Sequence, residues 1–547
     1  MGETSIELEG ICPLTTAEAL RRAAMLAHDL EAVVAPDGRA TFGELAEEVA
    51  HVSAALAAAG IGRGDRVGIC MGNGRRWISL FLALGSIGAV AVPVNTRLLK
   101  AEIAEILRQS RVTALFLVER LLRIDFAETF ASLCPDLRQG RASAELPDLK
   151  TVIMVGDAAR LPSAVSWTEF LKEAREPAPP VCRPDDTLLI QFTSGTTSAP
   201  KGAMLTHRSI LANGYLAGVR MGVRAGDRFH SARPFFHVVG TSQSIILSLQ
   251  HLVTLVTMER FDPAEALRLM EAERCTHFSG NDTMALMLLN HPDRASRSLA
   301  LRGAWLAGSP TVVARVMNDL GAREAVTAYG LSETAPNVAL SAWWEPPEIR
   351  AAARMRPQPG VEVRIRSAES GRACAPGEAG EIQVRGWNVM QGYFEKPEET
   401  RAALDSGGWL STGDLGRLGE DGRLEFVGRA KDIIRVGGEN VAPAEIENIL
   451  HKHPDIRMAQ IVGVPDPRLI EVPAAFVVLN DPDNGPTPDA IIAWCRQNMA
   501  GFKVPRFLEI VPDFESIGMT ASAKIQKNKL AAYAVSRFGI GREPAAR

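Results

Sequence analysis

The residues best suited to chemistry in this chain of 547 stand in one run, 193–202, which reads T-S-G-T-T-S-A-P-K-G. Leu188, Leu189, Ile190 and Phe192 precede it, and a helix-like pattern follows from Thr206. A strand that opens into a loop of glycine and hydroxyl residues, with a lysine close behind, suits phosphate oxygens. Gly195 lets backbone N–H groups approach an anion; Thr193, Ser194, Thr196 and Thr197 add hydroxyls, and Lys201 adds a mobile positive charge. Such loops also occur as plain solvated turns. Pro200-Lys201-Gly202 weighs against that alternative by stiffening the loop beside the cation. The run lacks the second glycine before the lysine, and the hydroxyl after it, that G-x-x-x-x-G-K-[ST] requires, so a P-loop kinase or ATPase is disfavoured.

Further groups of reactive types follow in order. Tyr329-Gly330-Leu331-Ser332-Glu333 sets an aromatic ring, a hydroxyl and a carboxylate within five residues; alone, Tyr329 reads as a core aromatic and Glu333 as a surface carboxylate. Ser411-Thr412-Gly413-Asp414 puts an aspartate on a tight turn, where it can accept from two ribose hydroxyls or close an Asx turn. Gly428-Arg429-Ala430-Lys431-Asp432 leads into Arg435-Val436-Gly437-Gly438-Glu439-Asn440. Near the C-terminus, Thr520-Ala521-Ser522-Ala523-Lys524-Ile525-Gln526-Lys527 carries Lys524, in a setting where a lysine is ordinarily a solvated charge.

Together these motifs resemble the signatures of the adenylate-forming superfamily, which includes acyl-CoA synthetases, luciferases and peptide-synthetase adenylation domains. The resemblance runs from about 41 to 529, and the 428–440 block is its most specific part. It implies an ATP/AMP site of Thr193, Ser194, Gly195, Thr196, Thr197, Lys201, Gly308, Ser309, Pro310, Tyr329, Gly330, Ser332, Asp414, Arg429 and Lys524. Within it, Tyr329 is expected against adenine, Ser332 at the α-phosphate, Asp414 at the ribose, and Arg429 at ribose or phosphate. Glu333 and Thr196 are the expected Mg²⁺ ligands and, with Lys524, the catalytic set. Lys431 occupies the hinge position, and Gly437 and Gly438 would let backbone approach the pantetheine arm of CoA. Phe236, His237, Gly240 and Ala307 are the expected acyl-binding residues, with small Gly240, Ser279, Gly280 and Ala307 leaving room for a bulky group.

Amino-acid-activating relatives carry an aspartate in the acyl segment, and none stands between Pro234 and Thr241. The implied substrate is therefore an acid without an α-amine. The reaction implied is ATP-dependent, AMP-forming ligation of a medium-chain, alicyclic or aromatic carboxylic acid to CoA through an acyl-adenylate. Two alternatives stand beside it: an acyl-AMP ligase that loads a carrier-protein thiol, and a degenerate AMP-binding sensor without turnover. Two departures from the family pattern bear on rate: Ser198 and Ala523 each replace a glycine, and Gly518-Met519 stand where Pro-Lys is common. A positive φ at Ala523 would cost roughly 1 kcal/mol or more.

The elements that must position these groups read as α/β. At this length two or more domains are expected. Thr41-Phe42-Gly43-Glu44 has the spacing of a capping box, with Leu45, Val49, Val52 and Leu56 at helical intervals. Short apolar strands at 67–71, 89–94, 113–118, 151–155 and 252–257 alternate with helical stretches at 77–84, 102–109, 209–221 and 263–271, which implies helix-covered, mostly parallel sheets. From about 360 the pattern becomes alternating and turn-rich, a small β-barrel-like subdomain with a hairpin at 420–422. A small α+β C-terminal lid completes the expected adenylate-forming fold, with domains 1–430 and 431–547. Residues 479–489 read as a surface loop and 536–547 as a mobile tail.

Composition excludes several classes. Apolar content of 46% and charge of 23% are ordinary for globular proteins. A net charge of −4 argues against nucleic acid as a partner. Seven scattered cysteines without C-x-x-C suggest reduced thiols in a cytoplasmic protein. The start is not a signal peptide, and the longest apolar run, 80–94, is too short for an integral membrane segment. Partners are the acid, ATP and CoA, with a homodimer left open.

Overall fold

The computed structural model describes residues 8–540 except 142, 176–178, 194–199, 368–369, 438 and 521–522. Ser194, Gly195, Thr196, Thr197, Ser198 and Gly438 therefore lie outside the described residues.

Two large sheets carry the chain up to Pro357, and Gly392–Tyr393 returns to the edge of one of them. In the eight-stranded sheet, Thr187–Thr193, Val90–Pro93, Arg66–Cys70, Ala114–Val118, Thr151–Val155 and Ala164–Ser166 run parallel. Helices cover both faces, so their residues read as unbroken apolar runs: Ile69, Phe116, Leu117 and Ile153 are wholly buried. In the nine-stranded sheet, Val326–Gly330, Gly303–Ala307, His277–Asn281, Arg228–Ser231, Thr254–Val256 and Glu31–Ala35 are likewise parallel. The expected capping box is present. Thr41 Oγ1 accepts from Glu44 N–H at 3.1 Å, and the Glu44 carboxylate accepts from Thr41 N–H at 2.8 Å. It starts helix Phe42–Ala58 so that Leu45, Val49, Val52 and Leu56 are buried, each contributing about 1.5–3 kcal/mol relative to exposure.

One strand was missed in the sequence. Lys201–Thr206 pairs antiparallel with Thr187–Thr193, Thr193 opposite Lys201, before helix His207–Met221 begins. Thr193 and Lys201, which flank the undescribed part of the hydroxyl-rich run, are thus held in register by a ladder.

The change of pattern after residue 360 corresponds to a four-stranded antiparallel sheet, Val361–Arg366, Gly380–Gly386, Leu410–Leu418 and Leu424–Arg429. A 3₁₀ turn, Ala430–Asp432, separates it from a last sheet of five strands: Ile434–Val436, Glu439–Val441, Ile456–Asp466, Ile470–Leu479 and Phe507–Ile510. One face of that sheet packs under Ile446, Leu450, Ile491 and Cys495. The other, with Met458, Val462 and Phe476, forms a cluster with Leu530 and Ala534 that is continuous with Met284, Val312 and Val316 of the large region. The expected mobile tail is corrected in part. Phe538 stacks on Phe507 at 4.9 Å and lies 5.8 Å from Phe476, so aromatic packing holds the chain as far as Ile540.

Candidate active site

The motif residues converge where parallel strands end, the usual ligand crevice of such sheets. Thr193 closes Thr187–Thr193, Ala307 closes Gly303–Ala307, Gly330 closes Val326–Gly330, and Arg233 to His237 follow Arg228–Ser231. Gly330 has a packing reason: a side chain there would collide with the carbonyl of Pro336.

Asp414 is 6% exposed. The Tyr329 hydroxyl donates to its Oδ2 at 3.0 Å, Arg429 Nε stands 3.5 Å from its Oδ1, and its own N–H is held by Thr412 Oγ1 at 3.1 Å. Burial pushes the Asp414 pKa up, while Arg429, Tyr329 and Lys524 favour the charged form. Tyr329 is itself buried, and one ring face is stacked on Phe426 at 5.4 Å. The hydroxyl bond to Asp414 and the Phe426 stack were not foreseen.

Glu333 follows Ser332 in a 3₁₀ turn, Ser332–Thr334. The Tyr393 hydroxyl donates to its Oε1 at 2.9 Å, and Lys201 Nζ lies 5.4 Å from the centre of the Tyr393 ring. Burial and the Glu333 charge hold Tyr393 protonated, so it remains a donor. A buried amide cluster fixes this turn. Asn213 Nδ2 donates to the carbonyls of Thr334 and Asn337 at 3.2 and 3.0 Å, and its Oδ1 accepts from Asn337 Nδ2 and Gln243 Nε2. Among the described residues no three His, Cys, Asp or Glu side chains gather as a metal cluster. A single carboxylate suits Mg²⁺ held mainly by phosphates and water.

Lys524 comes into this cleft from the C-terminal region. Ala523 adopts φ +54°, the strained left-handed conformation anticipated for it. The turn is closed by Thr520 N–H donating to Lys524 O at 2.8 Å and by Lys524 N–H donating to Thr520 Oγ1 at 3.0 Å. The Lys524 side chain is open to solvent yet hemmed in by protein, as a group standing in a cleft must be. That desolvation, then repulsion from Arg429, lowers its pKa to about 8, against the pull of Asp414 and Asp432. Lys431, in the 3₁₀ turn, is also lowered by burial and Arg429.

On the acyl side, Phe236 O accepts from Gln191 Nε2 at 3.1 Å. His237 Nδ1 accepts from Val239 N–H at 3.3 Å, which places the ring proton on Nε2. Burial, Arg233 and Lys524 push its pKa down to about 4, so it is neutral near pH 7. Ala307 is exposed to the cleft. Gly240 is buried, and a side chain there would strike the Pro234 carbonyl, so its smallness serves a tight turn.

Ser309 N–H donates to both Asp282 oxygens at 2.9 and 3.1 Å, fixing Gly308-Ser309-Pro310 at the start of helix Pro310–Asn318. At its second residue, Thr311 Oγ1 donates to Asn448 Oδ1 at 2.5 Å, linking that helix to helix Pro443–Leu450 on the C-terminal sheet. Neither Asp282 nor Asn448 belongs to a recognisable motif. Gly437, at φ +57°, donates its N–H to Leu469 O in the hairpin between Ile434–Val436 and Glu439–Val441. Its described contacts lie within the C-terminal sheet, away from Asp414 and Glu333.

Comparison with known proteins agrees with this geometry. Residues 20–394 match the AMP-binding enzyme family, and 445–524 match the AMP-binding enzyme C-terminal domain. The 3-[(3aS,4S,7aS)-7a-methyl-1,5-dioxo-octahydro-1H-inden-4-yl]propanoyl:CoA ligase of Rhodococcus jostii is 34% identical over 529 residues, 95% of this chain and 98% of that one. The mitochondrial medium-chain acyl-CoA ligase ACSF2 of Bos taurus is 32% identical over 513 residues, 90% of this chain and 82% of that one. The crystal structure of the anthranilate CoA ligase AuaEII in complex with anthranoyl-AMP superposes with a TM-score of 0.85 at 25% identity, covering 98% of this chain and all of that one. The chain belongs to the AMP-binding enzyme family and, within it, to the acyl-CoA synthetase branch: it is an AMP-forming acid–thiol ligase that uses ATP and CoA. Among the described residues no helix is long and apolar enough to cross a membrane.

Proposed function

We propose that the protein joins a medium-chain, alicyclic or aromatic carboxylic acid to CoA in two half-reactions at one cleft. The observation that carries this reading is the placement of Lys524: its charge is felt both at Asp414, on the nucleotide side, and at His237, on the acyl side.

In the first half-reaction a carboxylate oxygen of the acid attacks the α-phosphorus of ATP, and the bond to pyrophosphate breaks. Lys524 would neutralise charge on both reacting oxygens, and the 193–202 loop would supply donors to the phosphates. Asp414, held ready by Tyr329 and Arg429, accepts from the ribose hydroxyls. Glu333 would hold Mg²⁺, which when bound offsets charge on the phosphates. The neutral His237 turns an N–H outward as a donor or a pocket wall. In the second half-reaction the CoA sulfur attacks the acyl carbon and AMP departs with the bond electrons. For that step the unit after residue 430 turns about Lys431, withdrawing Lys524 and bringing Gly437-Gly438 to the acyl carbon. The structure's contacts fit the first of these two positions.

The names of the relatives support the substrate range: a bicyclic dioxo-indenyl propanoyl group, medium-chain acids, and anthranilate. The test is AMP release across aliphatic, alicyclic and aromatic acids with and without CoA. CoA-dependent release with at least one class is the expected result. Release of pyrophosphate with retention of acyl-AMP in the presence of CoA would instead favour transfer to a carrier-protein thiol.

A further inference from the structure

Arg233 is the charged group that the two half-reactions leave unused. It follows strand Arg228–Ser231 directly, at the carboxyl ends of the strands from which Pro234-Phe235-Phe236-His237 and Ala307 extend. Its backbone is pinned: Arg233 O accepts from Asn73 Nδ2 at 2.9 Å, and Asn73 Oδ1 accepts from Phe235 N–H at 2.8 Å. The side chain is aimed inward. Nε donates to Ser279 Oγ at 3.3 Å, and the guanidinium carbon lies 5.4 Å from the centre of the Trp305 ring. Ser279 and Trp305 are register partners at the middle of neighbouring strands, so the Arg233 side chain reaches from beyond the end of one strand across two others. The residue is 6% exposed, and Nη2 is buried without a hydrogen-bond partner.

No carboxylate among the described residues forms an ion pair with it, and burial is the sole influence on its pKa, which falls to about 10. It stays a cation near pH 7. A buried guanidinium without a counter-charge is costly, because such charges are stable only when paired. Trp305 and Ser279 each offset part of that cost, but neither satisfies the second nitrogen of the planar fork that suits a carboxylate. The charge also reaches the acyl site, since it lowers the His237 pKa together with Lys524.

From this we infer that Arg233 reads a second carboxylate on the acid substrate, remote from the one that is activated. This rests on the acyl-CoA synthetase reading above and narrows it to dicarboxylic acids. Lys524 serves the reacting end, Arg233 the far end, and neutral His237 feels both. Arg233 is a specificity determinant and takes no part in bond making.

The test pairs hexanoate, octanoate and decanoate with adipate, suberate and sebacate. Binding to the full chain is measured by calorimetry with a non-hydrolysable ATP analogue, and CoA-dependent AMP release is measured in parallel. At least one diacid should bind ten times or more tighter than its matched monoacid and show a correspondingly higher kcat/KM. Arg233→Met should abolish that preference, leave nucleotide binding intact and leave the monoacids unchanged or improved, while Arg233→Lys should retain part of it. If Arg233→Met fails to bind nucleotide, the preference of the unaltered protein and of Arg233→Lys decides. Monoacids preferred at every length, or an equal loss for both classes in Arg233→Met, would overturn the inference. Tight diacid binding without AMP release would support it while sinking the proposed turnover; turnover of monoacids alone would do the reverse.

Discussion

Arg429 and Arg233 bring like charges to the site from opposite surroundings. Arg429 is partly exposed and lies 3.5 Å from Asp414, which Tyr329 also holds. Arg233 is buried with one nitrogen unsatisfied. The nucleotide side is therefore complete in its own charges before any ligand arrives, as suits a site that always receives the same molecule. The acyl side keeps an uncompensated charge, as suits a site whose ligand brings the missing partner. Shared chemistry is preorganised, and selectivity is left to what the substrate supplies.

The comparison can be broken at several points. The largest expected effect on the nucleotide side, after loss of Lys524 itself, is at Tyr329. Tyr329→Phe removes a hydrogen bond to a buried carboxylate, an interaction of about 1.5–3 kcal/mol, so KM for ATP should rise about tenfold or more. Titrating ATP at saturating acid checks this, and an unchanged KM would separate Asp414 from nucleotide binding.

Next is pH. With the Lys524 pKa lowered to about 8, the cation is present below that pH and lost above it. The kcat/KM for adenylation should therefore hold through pH 7 and fall above about pH 8, well short of the pH 10.4 of an ordinary lysine. The residual activity of Lys524→Arg should lack that limb. His237, with its pKa near 4, should add no limb between pH 5 and 7. A profile flat to pH 10 would show that Lys524 is not desolvated in the free enzyme.

A smaller effect should come from Asn448→Ala, which removes the side-chain bonds between Thr311 and the C-terminal unit and leaves the longer one to the Asn448 carbonyl. One such bond is worth about 1 kcal/mol, so adenylation should slow about fivefold. Conversion of preformed acyl-adenylate to thioester should not slow, since that step uses the other position of the lid. The smallest change is expected of Ala523→Gly. At φ +54° glycine relieves about 1 kcal/mol of backbone strain, read as a small rise in adenylation rate or in midpoint of unfolding.

The sequence was most legible where chemistry is local. Lys524, Asp414, Glu333 and Arg429 sit in short runs whose residue types announce their uses, and the structure gathers all four. The Thr41-Glu44 cap and the buried parallel strands were also readable, because capping and unbroken apolar runs are properties of a few neighbouring residues. What could not be read acts across long stretches of chain. Tyr393 reaches Glu333 from 60 residues away, Asn213 reaches Asn337 across 124, and Thr311 meets Asn448 across 137. None carries a pattern that points to its partner. Gly240 is small because the Pro234 carbonyl closes a tight turn on it, and Phe538, in a stretch that reads as tail, is received by two aromatics. In both cases the deciding neighbour is invisible along the chain.

The measurement that bears most directly on the account is the pair of half-reactions in Lys524→Ala, followed as acid-dependent pyrophosphate release and as thioester formed from preformed acyl-adenylate and CoA. A lid that delivers one lysine to the first step and withdraws it for the second predicts a loss of about 10²–10³ in adenylation with thioester formation nearly unchanged. Equal losses in both would contradict it.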